Sequence, residues 1–379
     1  MHVAIIGAGV FGAWTAHHVH AAGARVSLVD AYGPANPRAS SGDHSRILRC
    51  GYGPDDIYAQ MAWRSLHQWR ELQRRLGPES PAIWHRSGVL WLAPDGDAYA
   101  AATKTTLEHA GLPVEALTPD DLRTRFPQLD AHDLGLALFE PECGVLTARR
   151  AVLALVWELE RAGVQYIRAR VQPPDAPIRA IEFDDGQLLE ADRFVFACGA
   201  WLPRVFPRVL EGRIRPTRQT VVYFGTPSDT DLFGPARTPA WVDFRAGIYG
   251  VPDIDGRGLK VCIDEHGPPI DPDSDDRVAD AAASFRARLW LALRFPAMAN
   301  APIVDARVCQ YENTSNGDFL IDRHPDYDNV WIVGGGSGHG FKHGPAVGEE
   351  AARLVLSGAP AYPRFSLRSK AAEANRTVY

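Results

Sequence analysis

The chain has 379 residues, long for a single hydrophobic core, so two packed domains are expected. Hydrophobic residues make up 46% and charged residues 23%, with a formal net charge of -6, an ordinary globular composition. Lacking a basic excess, the chain is not expected to bind nucleic acid.

No stretch reaches the roughly 18 uninterrupted apolar residues of a membrane span. Met1 leads straight into an apolar strand with no charged leader, so no signal peptide is expected. Cys50, Cys143, Cys198, Cys262 and Cys309 are scattered and form no C-x-x-C pair. Free thiols, no metal site and a cytoplasmic location follow as expectations. The expected protein is a monomer with a small-molecule partner.

Val3-Ala4-Ile5-Ile6 reads as a buried strand and ends in Gly7-Ala8-Gly9-Val10-Phe11-Gly12. A helix from Ala13 to Ala22 follows, stopped by Gly23, and Arg25 to Val29 forms a second strand closing on Asp30 and Ala31. This is a βαβ unit with G-x-G-x-x-G at its first turn and an acid after its second strand, the dinucleotide-binding pattern. Gly7 permits the tight turn, Gly9 lets backbone approach a pyrophosphate, and Gly12 lets the helix pack on the sheet. The helix N-terminus presents free N–H groups to phosphates, and Asp30 can accept from a ribose. The motif by itself does not choose between NAD and FAD.

A polar connection from Gly33 to Asp43 precedes Arg46-Ile47-Leu48-Arg49, and an amphipathic helix runs from about Ile57 to Leu76. Residues 80–144 mix short strands, such as Val89 to Leu92, with a helix and read as a different module. A helix from Ala148 to Ala162, a strand Val164 to Ile167, and a hairpin around Asp184-Asp185-Gly186 return to the first pattern. Strand Arg193 to Phe196 ends in Ala197-Cys198-Gly199-Ala200-Trp201. Residues 216–304 again read as α+β, with strands near Gln219–Phe224 and Leu259–Ile263 and a helix from about Arg277 to Leu293. The acidic, proline-rich run Pro268 to Asp276 reads as an exposed loop. The chain closes with strand Val330 to Val333, a turn Gly334 to Gly340, and a helix to about Ser357.

Nucleotide-domain pieces thus stand at the beginning, middle and end, interleaved with two insertions. The predicted division is an α/β Rossmann-like FAD domain from 1–80, 145–215 and 312–379. An α+β substrate domain with a mostly antiparallel sheet would come from 81–144 and 216–311. A simple NAD dehydrogenase keeps its dinucleotide fold contiguous, so FAD is favoured.

This interleaving, with five local motifs, resembles the D-amino-acid oxidase superfamily and in particular the monomeric sarcosine oxidase family. Gly7 to Asp30 matches its FAD entry motif. Ser40 to Arg49 resembles the flavin-contacting segment that ends in Arg-Ile-Ile-Arg. Val308-Cys309-Gln310-Tyr311 is similar to the family's Cys-Met-Tyr, where the cysteine bonds the flavin 8α carbon. Gly336 to Lys342 is similar to its Ser-Gly-His-Gly-Phe-Lys turn. Tyr249 to Pro252 followed by Gly258-Leu259-Lys260 resembles the segment holding an oxygen-activating lysine.

The resemblance implies an oxidase of a C–N bond in an amine or an amino or imino acid. Hydride passes to flavin N5, an imine forms, and dioxygen returns the flavin to its oxidised state with release of hydrogen peroxide. It implies cofactor contacts at Gly7, Gly9, Val10, Phe11, Gly12, Asp30, Ala31, Ser40, Ser41, Arg46, Ile47, Val171, Cys198, Gly199, Trp201, Cys309, Gly338, His339, Gly340, Phe341 and Lys342, with Cys309 carrying FAD covalently. The catalytic set it implies is Lys260 for oxygen activation, Arg46 over the flavin, and Arg49 with Lys342 as a carboxylate clamp. Tyr249, Asp264 and Tyr311 would wall the substrate pocket.

Two departures stand out. The family's His-Gly-Asp-Thr corresponds without gaps to Gly42-Asp43-His44-Ser45, which leaves His44 as an exposed histidine. A family histidine in the substrate site is replaced by Asp264, which makes the pocket more negative and argues against sarcosine itself. Three other activities stay open: a flavin dehydrogenase using another acceptor, an FAD-dependent aromatic hydroxylase, and a D-amino-acid oxidase of primary amines.

Overall fold

The computed structural model describes residues 1–174 and 178–370; the end of the predicted segment 312–379, residues 371–379, lies outside the described part. The first strand, His2–Ile6, lies between Arg25–Asp30 and Arg193–Phe196, parallel to both. Gln165–Arg168 and Val330–Gly334 extend the sheet on either side, and Leu320–Arg323 closes it antiparallel. Val3, Ala4 and Ile5 are wholly buried, as a central strand covered on both faces requires.

Helix Val10–Ala21 starts immediately after Gly9 and packs against the last long helix, Gly344–Ser357. The two approach at Gly348, where a Cβ would stand 2.5 Å from the Trp14 carbonyl carbon. Helix Asp56–Leu76 buries Tyr58, Met61, Ala62, Ser65, Leu66, Trp69 and Leu72, a three-and-four spacing that makes one apolar face. Trp69 meets Trp14 edge-on at 5.1 Å, which ties the helix to this core.

A second sheet of eight strands comes from 89–140 and 214–314. Its order is Ile303–Thr314, Ile214–Phe224, Leu259–Ile263, Ile248–Val251, Ala240–Asp243, Val89–Ala93, Leu136–Glu140 and Glu115–Leu117. Every neighbouring pair is antiparallel except Ala240–Asp243 with Val89–Ala93. Helix Ala281–Arg294 covers one face with Trp290 and Leu291, stacked on Trp241 beneath.

Several boundaries differ from expectation. The helix near 277 starts later, because Asp280 caps it by accepting from Ala282 N–H at 2.8 Å. The strand carrying Cys309, to which the sequence pattern gave no bounds, is 12 residues long and paired along its length with Ile214–Phe224. Ala240–Asp243 is a strand the pattern did not reveal. A small sheet, Trp84–His85 with Gly144–Leu146 and Arg46–Leu48, anchors the arginine segment.

Candidate active site

An elongated cleft crosses the first sheet and runs to the edge of the second. Gly7, Gly9, Val10 and Phe11 line it from the first turn, and Asp30 and Ala31 from the end of the second strand. Ser40, Ser41 and Arg46 form one wall; Val171, Cys198, Gly199 and Trp201 form another; Cys309, Gly338, Gly340 and Phe341 complete it. Gly12, Ile47, His339 and Lys342 do not line it. Gly12 serves packing instead, since a Cβ there would lie 1.8 Å from the Gly7 carbonyl oxygen. Ile47 pairs with Val145 in the small sheet, and the His339 ring lies 3.1 Å from the Tyr52 hydroxyl.

The local geometry suits a dinucleotide. Gly7 has φ +109°, and its Cβ would meet the Ala197 carbonyl oxygen at 2.3 Å. At Gly9 the nearest atom to a Cβ is Ser41 Oγ at 3.5 Å, so backbone there faces the open cleft. Asp30 accepts from the amides of Ala8, Tyr32 and Gly33, which hold its carboxylate at the rim. Ser40 Oγ, Gln310 Nε2 and Glu312 Oε2 are buried without a protein partner, and all three residues line this cleft. Such groups fit a phosphorylated, polyhydroxylated cofactor. Burial raises the Glu312 carboxyl to about 7 despite the amides of Gly335 and Gly336.

The loop from Pro268 to Asp276 is not simply exposed. Asp273 accepts from Tyr32 Oη at 2.5 Å, Trp201 Nε1 at 3.0 Å and Arg204 at 2.5 Å, pinning the loop across the cleft rim. Burial would raise Asp273, but Tyr32, Trp201 and Arg170 hold it down at about 2.

Lys260, Arg49, Lys342, Tyr249 and Asp264 are not in the cleft lining; strand alternation ties Lys260 and Tyr249 to Cys309 and Tyr311, which are. Lys260 stands opposite Tyr223 and Val251, and Cys262 opposite Val221 and Tyr249, so these side chains share one face of the second sheet. Cys309 stands opposite Gln219 and Tyr311 opposite Thr217, in the same phase. Leu259, Val261 and Ile263 point the other way, into the core under helix Ala281–Arg294. One sheet face thus brings together Lys260, Tyr249, Cys309 and Tyr311, which are far apart in sequence.

Lys260 is 1% exposed and donates to Asp43 Oδ2 at 2.6 Å and to the Ser45 carbonyl at 3.0 Å. The same Asp43 oxygen pairs with Arg46 at 2.8 Å, and Tyr223 Oη donates to Asp43 Oδ1 at 2.8 Å. Burial opposes ionisation of Asp43, but Lys260 and Arg46 more than offset it and hold the carboxyl well below the usual range. Arg46 also donates to the Ser40 carbonyl at 2.6 Å and lies 3.2 Å from Cys309 Sγ. It therefore bridges the lysine cluster and the candidate flavin-linking sulfur.

Arg49 stacks over Tyr52 at 4.5 Å and Trp91 at 5.1 Å and donates to the Gly51 carbonyl. Lys342 lies over the same Tyr52 ring at 5.0 Å and donates to the His339 carbonyl at 3.0 Å. The two cations flank one aromatic plate. Burial and the neighbouring Arg49 press the Lys342 ammonium well below its ordinary value, an effect that an incoming carboxylate would reverse. Asp264 feels both cations and accepts from Tyr311 Oη at 3.3 Å; Tyr249 Oη is 3.2 Å from Tyr311 Oη.

His44 is half-buried, not exposed. Arg257 donates to its Nε2 at 3.0 Å, and burial with Arg307 and Arg257 nearby lowers its pKa to about 4. Sequence reading missed Asp43, Tyr52, Glu140 and Glu312. An acid at a family glycine was the available signal for Asp43; the others gave none. Glu140 accepts from the amides of Cys50 and Gly51 and from Trp91 Nε1, so it braces the turn that carries Arg49. Folding also gathers scattered cysteines: ligand atoms of Cys50, Glu140 and Cys143 lie within 4.8 Å of one another.

Known proteins place this arrangement. The family model described as FAD dependent oxidoreductase, DAO, matches residues 2–354. Monomeric sarcosine oxidase of Bacillus sp. (strain B-0618) is 30% identical over 367 residues, spanning 94% of this chain and 92% of that protein. N-methyl-L-tryptophan oxidase of Salmonella arizonae is 28% identical, spanning 94% and 95%. The solved structure of L-proline dehydrogenase from P. horikoshii superimposes with a TM-score of 0.83 at 20% identity, covering 99% of both chains. It is like this chain in fold. No helix among the described residues is long and apolar enough to cross a membrane. With a family model spanning nearly its whole length, the chain belongs to the DAO family of FAD-dependent oxidoreductases.

Proposed function

We propose that the chain oxidises the C–N bond of a small amine bearing a carboxylate, with FAD attached through Cys309 and dioxygen as acceptor. The observation that carries this reading is the shared sheet face. Of its residues Cys309 and Tyr311 line the cleft, Lys260 and Tyr249 share the face with them, and Arg49 and Lys342 lie over one aromatic ring. The names of the relatives, sarcosine oxidase and N-methyltryptophan oxidase, point to secondary amino acids.

FAD, when bound, supplies a hydride acceptor and later an electron source for dioxygen. The residues do the rest. Arg49 offers a planar fork and Lys342 a second charge to a carboxylate. Tyr249 and Tyr311, whose hydroxyls meet at 3.2 Å, would wall the substrate pocket. Lys260 supplies positive charge where negative charge develops on oxygen. Arg46 sets a guanidinium beside Cys309, the charge a cysteinyl flavin link needs. The division into 1–80, 145–215 and 312–379 against 81–144 and 216–311 suits this assignment, as does a monomer. The free cysteines among the described residues suit a reducing cytoplasm.

A second reading has one observation in its favour. Asp43 neutralises Lys260 at 2.6 Å, which would suit a dehydrogenase that passes electrons to another acceptor.

The test is a peroxide assay with N-methyl amino acids and their decarboxylated counterparts. The carboxylates should yield peroxide and the simple amines should not. Arg49→Ala removes a charge-assisted pair of roughly 1.5–3 kcal/mol, so it should weaken substrate binding by tens of fold. Equal turnover of both classes in both proteins would defeat the clamp, and flavin bleaching without peroxide would favour the dehydrogenase.

A further inference from the structure

Asp264 follows strand Leu259–Ile263 two positions after Cys262, in phase with Lys260. Its N–H donates to the Gly247 carbonyl at 2.7 Å, fixing the backbone, and Tyr311 Oη holds Oδ1 at 3.3 Å. The charged and titratable groups around it come from every neighbouring element. Arg49 follows strand Arg46–Leu48, and Lys342 sits in the turn Phe341–His343. Tyr311 belongs to Ile303–Thr314, Tyr249 stands behind it on Ile248–Val251, and Cys262 shares the strand.

An acid here is costly if the ligand is a plain carboxylate, because it repels the anion that Arg49 and Lys342 attract. It becomes favourable if the ligand also carries a cation one or two bonds from that carboxylate. A zwitterionic amino acid has this charge pattern, with two protein cations facing its anion and one protein anion facing its ammonium.

We propose that Asp264 binds the ammonium of a zwitterionic amino-acid substrate and takes its proton at Oδ2. The inference rests on the amine-oxidation reading above and adds a base to it. An ammonium nitrogen has no lone pair to drive hydride loss, so it must be deprotonated first. The N–H bond breaks, an O–H bond forms on Asp264, and the amine becomes neutral. A carbon bonded to that nitrogen then gives a hydride, one proton with two electrons, to oxidised FAD. An iminium cation is left for water to attack. Burial raises Asp264 to about 6 against the pull of Arg49, Tyr311 and Lys342. It is then ionised at neutral pH yet more basic than an ordinary carboxylate, as a general base should be.

The test follows anaerobic flavin reduction by an N-methyl amino acid across pH, and titrates the oxidised holoenzyme with propionate by its visible spectrum. In the unaltered protein, reduction should fall on the acid side of about pH 6, as Asp264 takes up a proton. Asp264→Asn should lose that limb and slow reduction by about 100-fold, the lower end of general-base effects. It should bind propionate about tenfold more tightly, because the repelling charge is gone. Asp264→Glu should restore part of the rate and the limb, which separates base chemistry from misfolding. An Asp264→Asn protein that keeps both the limb and the rate, with unchanged propionate affinity, would overturn the proposal while leaving the amine-oxidation reading standing. Failure of any amino acid to reduce the unaltered protein would defeat that reading, and this one with it.

Discussion

Lys260 shows how much of a site depends on one partner. A buried ammonium offers a compact charge to dioxygen, but Asp43 at 2.6 Å shares that charge with Arg46. Lys260→Met keeps length and removes the cation. Dioxygen reduction should slow by about 10²–10³-fold, the scale of losing one oxyanion-type donor, while reduction by substrate changes less. Stopped-flow traces with normal reoxidation and slow reduction would refute the role. Lys260 and Lys342 came from the resemblance, in a sequence where lysines are few beside a large excess of arginine. Asp43 did not, since its lysine lies 217 positions away and only folding joins them. His44 was read as exposed for the same reason, its partner Arg257 being equally remote.

At the scale of elements, the first βαβ unit was legible because its strand, turn and helix are contiguous and each glycine has a local task. The long strand Ile303–Thr314 was not. Its early half, with Ile303 and Val304 exposed, lacks a clean apolar alternation and is ordered by pairing with Ile214–Phe224. Pairing also puts Cys309 on the cofactor-facing side, with Arg46 at 3.2 Å. Acid precipitation should therefore leave yellow colour with the protein, and digestion should place the flavin on the peptide containing Cys309. Free FAD recovered entirely in the supernatant would reject the bond and leave the rest of the reading intact. The loop at Asp273 illustrates the opposite failure. Its acidic, proline-rich composition reads as solvent-facing, yet Tyr32, Trp201 and Arg204 converge on one carboxylate.

Across the whole molecule, function sits where two sheets meet. The parallel sheet gives the cleft its glycine turn and helix N-terminus, which would receive a dinucleotide, and the antiparallel sheet lends it Cys309 and Tyr311. Interleaving of the two in sequence was readable from the alternation of element types. The carboxylate plate was readable only in part. Arg49 and Lys342 came from the resemblance, whereas Tyr52, over which both lie, and Glu140, bracing the turn after Arg49, have no local signature. In the proposed reaction a carboxylate-bearing amine reduces the bound flavin and dioxygen restores it. The most direct measurement mixes the purified yellow protein anaerobically with N-methyl amino acids and then admits dioxygen. Bleaching by the amino acid alone, recovery of colour on aeration, and one hydrogen peroxide per amine consumed are expected of that reaction. Bleaching by NAD(P)H and by no amino acid would contradict it.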